Sequence, residues 1–290
     1  MFWQTSRFLL DLASPKVMGI VNITPDSFTD GGQYLDVSAA LRQCEQLLND
    51  GADLLDLGAE STRPGAQPLP ADEELNRLLP ALQAAVELGV PISVDTYKPQ
   101  VMQAALDLGA DIINDVWALR WTDPSLVHPA ASGQQVVAAH PGCGVCLMHM
   151  HREPQTMQVA PMVGDVVPQV LDFLTRTARE LELLGVAGQR IVLDPGIGFG
   201  KTVAQNFSLL AQQHLLTTSG FPVLAGWSRK SSLAAVLGSV ETVRSAGGPH
   251  PRLMASVAAA LLAVERGAAV VRVHDVRETV QALKVLNAIK

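Results

Sequence analysis

Cysteine is scarce in this sequence. Cys44, Cys143 and Cys146 are the only three among 290 residues, too few to staple a domain of this size, and an odd number leaves at least one thiol free. A disulfide scaffold is excluded, and a reducing, cytoplasmic setting is expected. Aromatic residues make up only 4% and charged residues 17%. The basic residues form no run, so neither nucleic acid nor an anionic membrane surface is expected as a partner. Long apolar runs are missing too. The longest, 254–264, falls short of the roughly 20 residues that a membrane-spanning helix needs. Near the start, Arg7 precedes a short apolar stretch that Asp11 interrupts, so neither a secretory leader nor a spanning segment is expected.

What the chain does have is core-forming material: 48% hydrophobic residues, a mean hydropathy of +0.22, and a mild acidic excess of 28 acidic against 21 basic residues, net −7. The apolar residues alternate between strand-like runs and helical spacing. Strands are predicted over 17–22, 53–57, 92–95, 112–115, 145–149, 191–194, 223–226 and 270–274. Helices are predicted over 37–49, 72–88, 100–108, a weakly periodic region ending near 132, 163–184, 204–216, 231–237, 253–265 and 276–289. Glycines at 51, 89 and 109 supply helix stops. Eight αβ units without a composition break predict an α/β protein, a single-domain (β/α)8 TIM barrel over residues 17–290. Residues 1–16 form a short N-terminal cap, and an open doubly wound sheet is the lesser option.

The stretch Leu193-Asp194-Pro195-Gly196-Ile197-Gly198-Phe199-Gly200-Lys201 organises the rest. A buried strand delivers a carboxylate to a glycine-rich loop that must pass close to something. Two phosphate fingerprints fail there: the P-loop pattern needs glycine where Pro195 stands, and the dinucleotide pattern needs it where Lys201 stands. Side-chain alternation brings similar groups inward at other strand ends. Strands one to four offer Asn22, Asp56, Asp95 and Asn114, strand six Asp194, and strand eight both Arg272 and His274. Strand seven runs into Ser228-Arg229-Lys230. Barrel enzymes place their chemistry at this face and often bind phosphate after strands seven and eight. An acidic and amidic floor under a rim of Arg229, Lys230, Arg272 and His274 suits a hydrogen-bonding heterocycle at depth and a phosphate chain at the mouth. Several ionisable groups inside one barrel would each carry a desolvation cost unless a ligand or metal offset it.

Cys143-x-x-Cys146-x-x-His149-x-His151 has nominal zinc spacing. Cys146 and His149 are an odd number apart on a predicted strand and so face opposite sides. Cys146 and Met148 are instead expected to point inward as a soft apolar wall. The helix at 253–265 is apolar nearly all round, which predicts deep burial or a subunit interface.

The stretches Met18-Gly19-Ile20-Val21-Asn22-Ile23-Thr24-Pro25-Asp26-Ser27-Phe28, Gly58-Ala59-Glu60-Ser61-Thr62-Arg63-Pro64-Gly65, Ser93-Val94-Asp95-Thr96, Ile113-Asn114-Asp115, the organising stretch from Asp194 to Lys201, Ser228-Arg229-Lys230-Ser231 and Arg272-Val273-His274-Asp275 together resemble the bacterial dihydropteroate synthase family, in family order over 17–290. The resemblance implies condensation of 6-hydroxymethyl-7,8-dihydropterin diphosphate with 4-aminobenzoate, a transferase step of folate synthesis. It implies pterin contacts from Asp95, Asn114, Met148, Asp194 and Lys230, and diphosphate contacts from Thr62, Arg63, Arg272 and His274. Mg²⁺ would bind at Asn22 with the diphosphate. The aminobenzoate site would lie between Phe28, Pro64 and Phe199 near Lys230, with the carboxylate at Ser231. Asp95, Lys230, Arg272 and His274 would carry the catalysis, and no general base is essential. Sulfonamides would compete for the aminobenzoate site, and family members form homodimers. The pattern departs at Tyr97, where a small residue is common, at Trp227, and over 238–250. Two alternatives stay open: a pterin-binding methyltransferase domain would share the barrel and the acceptors Asp95, Asn114 and Asp194 but has no reason to keep the two motif loops or the cationic rim, and a catalytically silent paralogue would keep the fold and lose loop residues, which this chain retains.

Overall fold

The computed structural model describes residues 1–23, 32–62, 65–123, 131–238 and 249–289, with the backbone alone for 32–36. Eight parallel strands close into a barrel: β3 (Lys16–Asn22), β4 (Leu54–Gly58), β5 (Ile92–Asp95), β6 (Ile112–Asp115), β7 (Gly144–Met148), β8 (Ile191–Asp194), β9 (Val223–Ala225) and β10 (Ala268–Val273). Each strand pairs with its sequence neighbours, and β10 closes on β3 through Val271↔Val17 and Arg272↔Met18. Around it pack α1 (Gly32–Asn49), α2 (Ala71–Val86), α3 (Pro99–Asp107), α4 (Gly133–Ala139), α5 (Val166–Leu183), α6 (Val203–Ala211), α7 (Ser231–Leu237), α8 (Leu253–Glu265) and α9 (Val276–Asn287). This is the predicted (β/α)8 barrel. No helix among the described residues is long and apolar enough to cross a membrane.

Strand parity divides the core in two. Outward residues such as Val21, Leu55, Val94, Ile113, Val145 and Leu193 belong to the large cluster shared with the helices. Inward residues Met18, Leu54, Ile112, Cys146, Val192, Leu224 and Val270 form a separate apolar cluster with Trp3 and Leu12. That inner layer fills the barrel's lower half, so chemistry is confined to the upper half.

Trp3 belongs to an element that the sequence reading did not resolve. Residues 1–16 were expected as a cap, and within them β1 (Phe2–Gln4) and β2 (Leu9–Asp11) make an antiparallel hairpin. Trp3 is completely buried and donates from Nε1 to Arg190 O at 3.0 Å. Arg7 grips Asp111 through Nε and Nη2, at 3.0 and 2.6 Å.

The weakly periodic region after β6 is expected to be helical up to about 132; residues 116–123 are not helical, 124–130 lie outside the described residues, and α4 begins at Gly133. The Asp115 carboxylate accepts from Trp117 N and Leu119 N at 2.8 and 2.6 Å, and the chain there passes through φ 52° at Ala118 and 62° at Leu119, which breaks any helix. α4 starts only where Ser132 and Gln135 form a reciprocal cap.

Candidate active site

Above the apolar layer, the next inward position on several strands is polar. Arg272 of β10 donates from Nε to Asp56 Oδ2 of β4 at 2.5 Å and from Nη2 to Asp95 Oδ2 of β5 at 2.7 Å. Asn114 of β6 donates from Nδ2 to the same Asp56 oxygen at 3.2 Å. One guanidinium thus ties the ends of three strands. Burial works against its charge, but Asp56 and Asp95 outweigh it and hold the guanidinium above its ordinary range. Burial lifts the Asp95 carboxyl to about 7, with Arg272 pulling against it and Asp56 adding to the rise. Asp56 Oδ1 and Ser93 Oγ, on register-paired residues, are buried without hydrogen-bond partners, so the floor retains unused acceptor capacity.

Across the barrel, Asp194 ends β8 and is 6% exposed. Its Oδ1 accepts from Gly196 N at 2.7 Å. Burial raises its pKa, while that hydrogen bond and then Lys230 and Arg272 oppose the rise. The loop that follows is held from beneath by Lys201, itself buried, whose Nζ donates to Gly196 O, Phe199 O and His149 O at 2.9, 3.1 and 3.2 Å and lies 3.0 Å from His149 Nδ1. Burial first, and then the Lys201 charge, pushes His149 down to about 2. The imidazole is therefore neutral. Gly196, at φ 68°, lies so close to the neighbouring chain that a Cβ there would stand 1.9 Å from His149 O.

The rim comes from β9, β10 and the loops after them. Lys230 precedes α7 and places Nζ 4.5 Å from the centre of the Phe199 ring. Ser231 opens α7 at the surface. His274 is oriented by Ser228, whose Oγ lies 3.0 Å from Nδ1 and accepts from the His274 backbone N at 3.1 Å. Arg229, proposed for the anion rim, instead pairs with Asp275, with Nη2 2.5 Å from Oδ1. Its backbone N donates to Ser256 Oγ, so it fastens the loop. Met148 ends β7 in an upper apolar cluster with Tyr97, Val116, Met150, Met157 and Phe199. Asn22 ends β3 half-buried, opposite Gly58, and Thr62 is half-buried in the loop after β4. Phe28, Arg63 and Pro64 lie outside the described residues.

A family model described as pterin-binding enzymes matches residues 18–274. The chain belongs to that family. It is 46% identical over 292 residues to dihydropteroate synthase of Neisseria meningitidis serogroup B, covering 99% of this chain and 97% of the relative. Its fold is similar to a crystal structure of Burkholderia cenocepacia dihydropteroate synthase complexed with 7,8-dihydropteroate, with TM-score 0.83, 49% identity, and 99% and 96% of the two chains covered. It is similar also to Xanthomonas albilineans dihydropteroate synthase with 4-aminobenzoic acid, with TM-score 0.85, 44% identity, and 100% and 98% covered.

Within this pterin-binding barrel, Cys146 lies in the lower apolar layer, whereas His149 faces Lys201 and packs edge-on against Phe173. Cys143 accepts from Arg190 at its Sγ. The zinc-like spacing therefore does not converge. Trp227, a departure from the family pattern, is buried in the outer core against Phe207 and does not face the rim; of 238–250, residues 239–248 lie outside those described. Two supports were missed by sequence reasoning: the Lys201 tie under the glycine loop, and a buried cluster of Glu60, Glu74, Tyr97 and Lys98. The only signal for either was a charged residue beside a motif, which ordinarily means surface.

Proposed function

We infer that the chain condenses 6-hydroxymethyl-7,8-dihydropterin diphosphate with 4-aminobenzoate to give 7,8-dihydropteroate and diphosphate. The observation that carries this reading is the pairing of two inward acceptors, Asp194 and Asn114, with Lys230, Arg272 and His274 in one barrel mouth, in a chain 46% identical to a dihydropteroate synthase over almost its whole length. A pterin edge presents adjacent amino and ring N–H donors, and a carboxylate accepts such a pair. Asp194 takes that role, with its second oxygen fixed by Gly196 N. Asn114 and Asp95 complete the ring contacts, Met148 and Phe199 wall the pocket, and Lys230 donates on the carbonyl side.

The leaving diphosphate departs toward positive charge. Thr62, Arg63, Arg272 and His274 take its oxygens, and preorganised cations stabilise the diphosphate, which gains a negative charge as the C–O bond breaks, more than its bound ground state. The arylamine then attacks the pterin methylene carbon and releases its proton to solvent. Aminobenzoate lies against Phe28, Pro64 and Phe199, with its carboxylate at Ser231. A sulfonamide, with the same ring and an anionic end, competes for that place.

Asn22 fits a magnesium ion as its one protein ligand. Its amide oxygen is a hard donor at the strand end, and no cluster of three or more His, Cys, Asp or Glu suited to a metal exists among the described residues. A single neutral protein ligand suits Mg²⁺, which keeps waters and phosphate oxygens as its remaining partners. When bound, the ion neutralises charge on the diphosphate. For assembly, α8 turns Met254 and Leu262 outward at 79% and 39% exposure, an apolar face that supports a homodimer. The three buried thiols fit the reducing cytoplasm. The reading is tested by product formation from the two purified substrates, with Mg²⁺ supplied or withheld. Product only with Mg²⁺ is expected, and no product under either condition overturns the reading.

A further inference from the structure

A buried amide that the reaction above does not use joins two edges of the barrel mouth. Asn206, on α6, is 1% exposed and uses both ends of its side chain. Its Oδ1 accepts from Gly198 N at 2.9 Å, and its Nδ2 donates to Ser232 Oγ at 2.9 Å and to Lys201 O at 3.4 Å. Gly198 N can only donate and Lys201 O can only accept, so the amide has a single orientation. Ser232, itself buried, lies in the first turn of α7, two residues after Lys230. Asn206 therefore fastens the glycine loop after β8 to the start of the helix after β9.

Both fastened points stand beside the contact between Lys230 and Phe199. Gly198 immediately precedes Phe199, and a Cβ at Gly198 would lie 3.5 Å from Lys230 Cδ and 3.9 Å from its Nζ, so the Lys230 stem runs along the loop. Its Nζ stands 4.5 Å from the centre of the Phe199 ring. A lysine ends in a point charge on a flexible four-carbon stem, and its position is set by the backbone at its root and by the surface along that stem. The root is clamped on its N-terminal side, where Lys230 N donates to Trp227 O at 3.2 Å and Arg252 Nη1 donates to Arg229 O at 2.9 Å. On its C-terminal side, Asn206 ties the root to the loop.

We propose that Asn206 is a positioning residue for pterin binding: by holding Gly198 and Ser232 at a fixed separation it sets where Lys230 Nζ stands over Phe199, and so acts on the pterin through Lys230. The proposal rests on the functional reading above for the role of Lys230. Burying an amide is costly unless its hydrogen bonds are made, and each of the three bonds here ends on the glycine loop or on the helix that Lys230 precedes.

The test is Asn206→Ala in the full chain, with calorimetric titration of 6-hydroxymethylpterin. The Kd is expected to rise about 5- to 20-fold, within the range felt when a binding group is slightly displaced. A purely structural role would lower the number of binding-competent sites and leave the Kd of the folded fraction unchanged. Coupling supplies the second readout. Placed on Lys230→Met, Asn206→Ala is expected to change the Kd by less than about twofold, because its effect passes through Lys230; placed on Asn114→Ala, on β6, it is expected to keep its full factor. Ser232→Ala removes one of the three hydrogen bonds and decides the matter where Asn206→Ala does not fold: a rise of about 2- to 5-fold is expected, the size of one hydrogen bond, and again it should vanish on Lys230→Met. Wild-type protein that neither binds 6-hydroxymethylpterin nor forms product overturns the functional reading. A wild type that binds the pterin, with the same Kd in Asn206→Ala or, where that variant does not fold, in Ser232→Ala, overturns the positioning role. Equal factors on the wild type and on Lys230→Met overturn it too, as does a wild-type Kd in Lys230→Met itself.

Discussion

Arg272 Nη2 stands 2.7 Å from Asp95 Oδ2 at the barrel mouth, which joins a proposed diphosphate contact to a proposed pterin contact whose charge changes with pH. Burial lifts Asp95 to about 7 despite Arg272. The folded carboxyl thus titrates above its unfolded value, so the folded chain binds more protons than the unfolded one between about pH 4 and pH 7. Across that window the contribution of Asp95 to stability falls as pH rises. Ligand binding runs the other way, because only the ionised form accepts N–H donors without offering a proton. Affinity for a dihydropterin is expected to tighten up to about tenfold from pH 6 to pH 8, the change in ionised fraction for one group at pKa 7. Calorimetry at the two pH values checks this, and Asp95→Asn should flatten the dependence. An unchanged slope in that variant would assign the titration to another group.

Asp194→Asn replaces an acceptor with an NH₂ that meets the pterin donors head on, while Gly196 N still needs its oxygen. Pterin affinity is expected to fall by about 2 to 4 kcal/mol, the cost of an unmet contact at a charged acceptor. Titration showing wild-type affinity would remove Asp194 from the site.

Gly196→Ala tests the backbone instead of the chemistry. The position has φ 68°, and a Cβ would meet His149 O at 1.9 Å. Left-handed strain and overpacking each cost about 1 to 3 kcal/mol, so denaturant unfolding should show a loss of roughly 2 to 6 kcal/mol. A variant as stable as wild type would mean that the Gly196 loop and the chain at His149 can part without cost.

The legible parts of this protein were those where a local period reports on a global environment. Strand alternation identifies which face of β4, β5, β6, β8 and β10 turns inward, and so gathers Asp56, Asp95, Asn114, Asp194 and Arg272 from sequence alone. Partnership was not legible. Glu60 and Tyr97 are 37 residues apart, and nothing in either neighbourhood distinguishes a buried network from a solvated loop. Lys201 closes a glycine motif, yet its three carbonyl acceptors exist only once the loop has curled around it. The hairpin at 2–11 escapes because strands of three residues have no period to read, and the turn directly after β6 escapes because Asp115 turns the chain through Ala118 and Leu119, where no glycine marks a left-handed turn.

Binding order follows from which residues share a loop. Phe28 and Pro64, the proposed aminobenzoate walls, sit a few residues from Asn22 and from Thr62 and Arg63, the proposed magnesium and diphosphate contacts. An anion held by Asn22, Thr62 and Arg63 is expected to hold both walls as well, so that aminobenzoate arriving afterwards binds more tightly. Pterin with Mg²⁺ and diphosphate is expected to strengthen aminobenzoate binding by about 1 to 3 kcal/mol, a usual coupling between sites, and aminobenzoate must strengthen diphosphate binding by the same amount. Pterin diphosphate then enters first in turnover. Titrating aminobenzoate or a sulfonamide into the protein, with and without pterin, Mg²⁺ and diphosphate, measures the coupling. Equal affinity in the two conditions would mean that the aminobenzoate walls are already in place and that order of addition is immaterial.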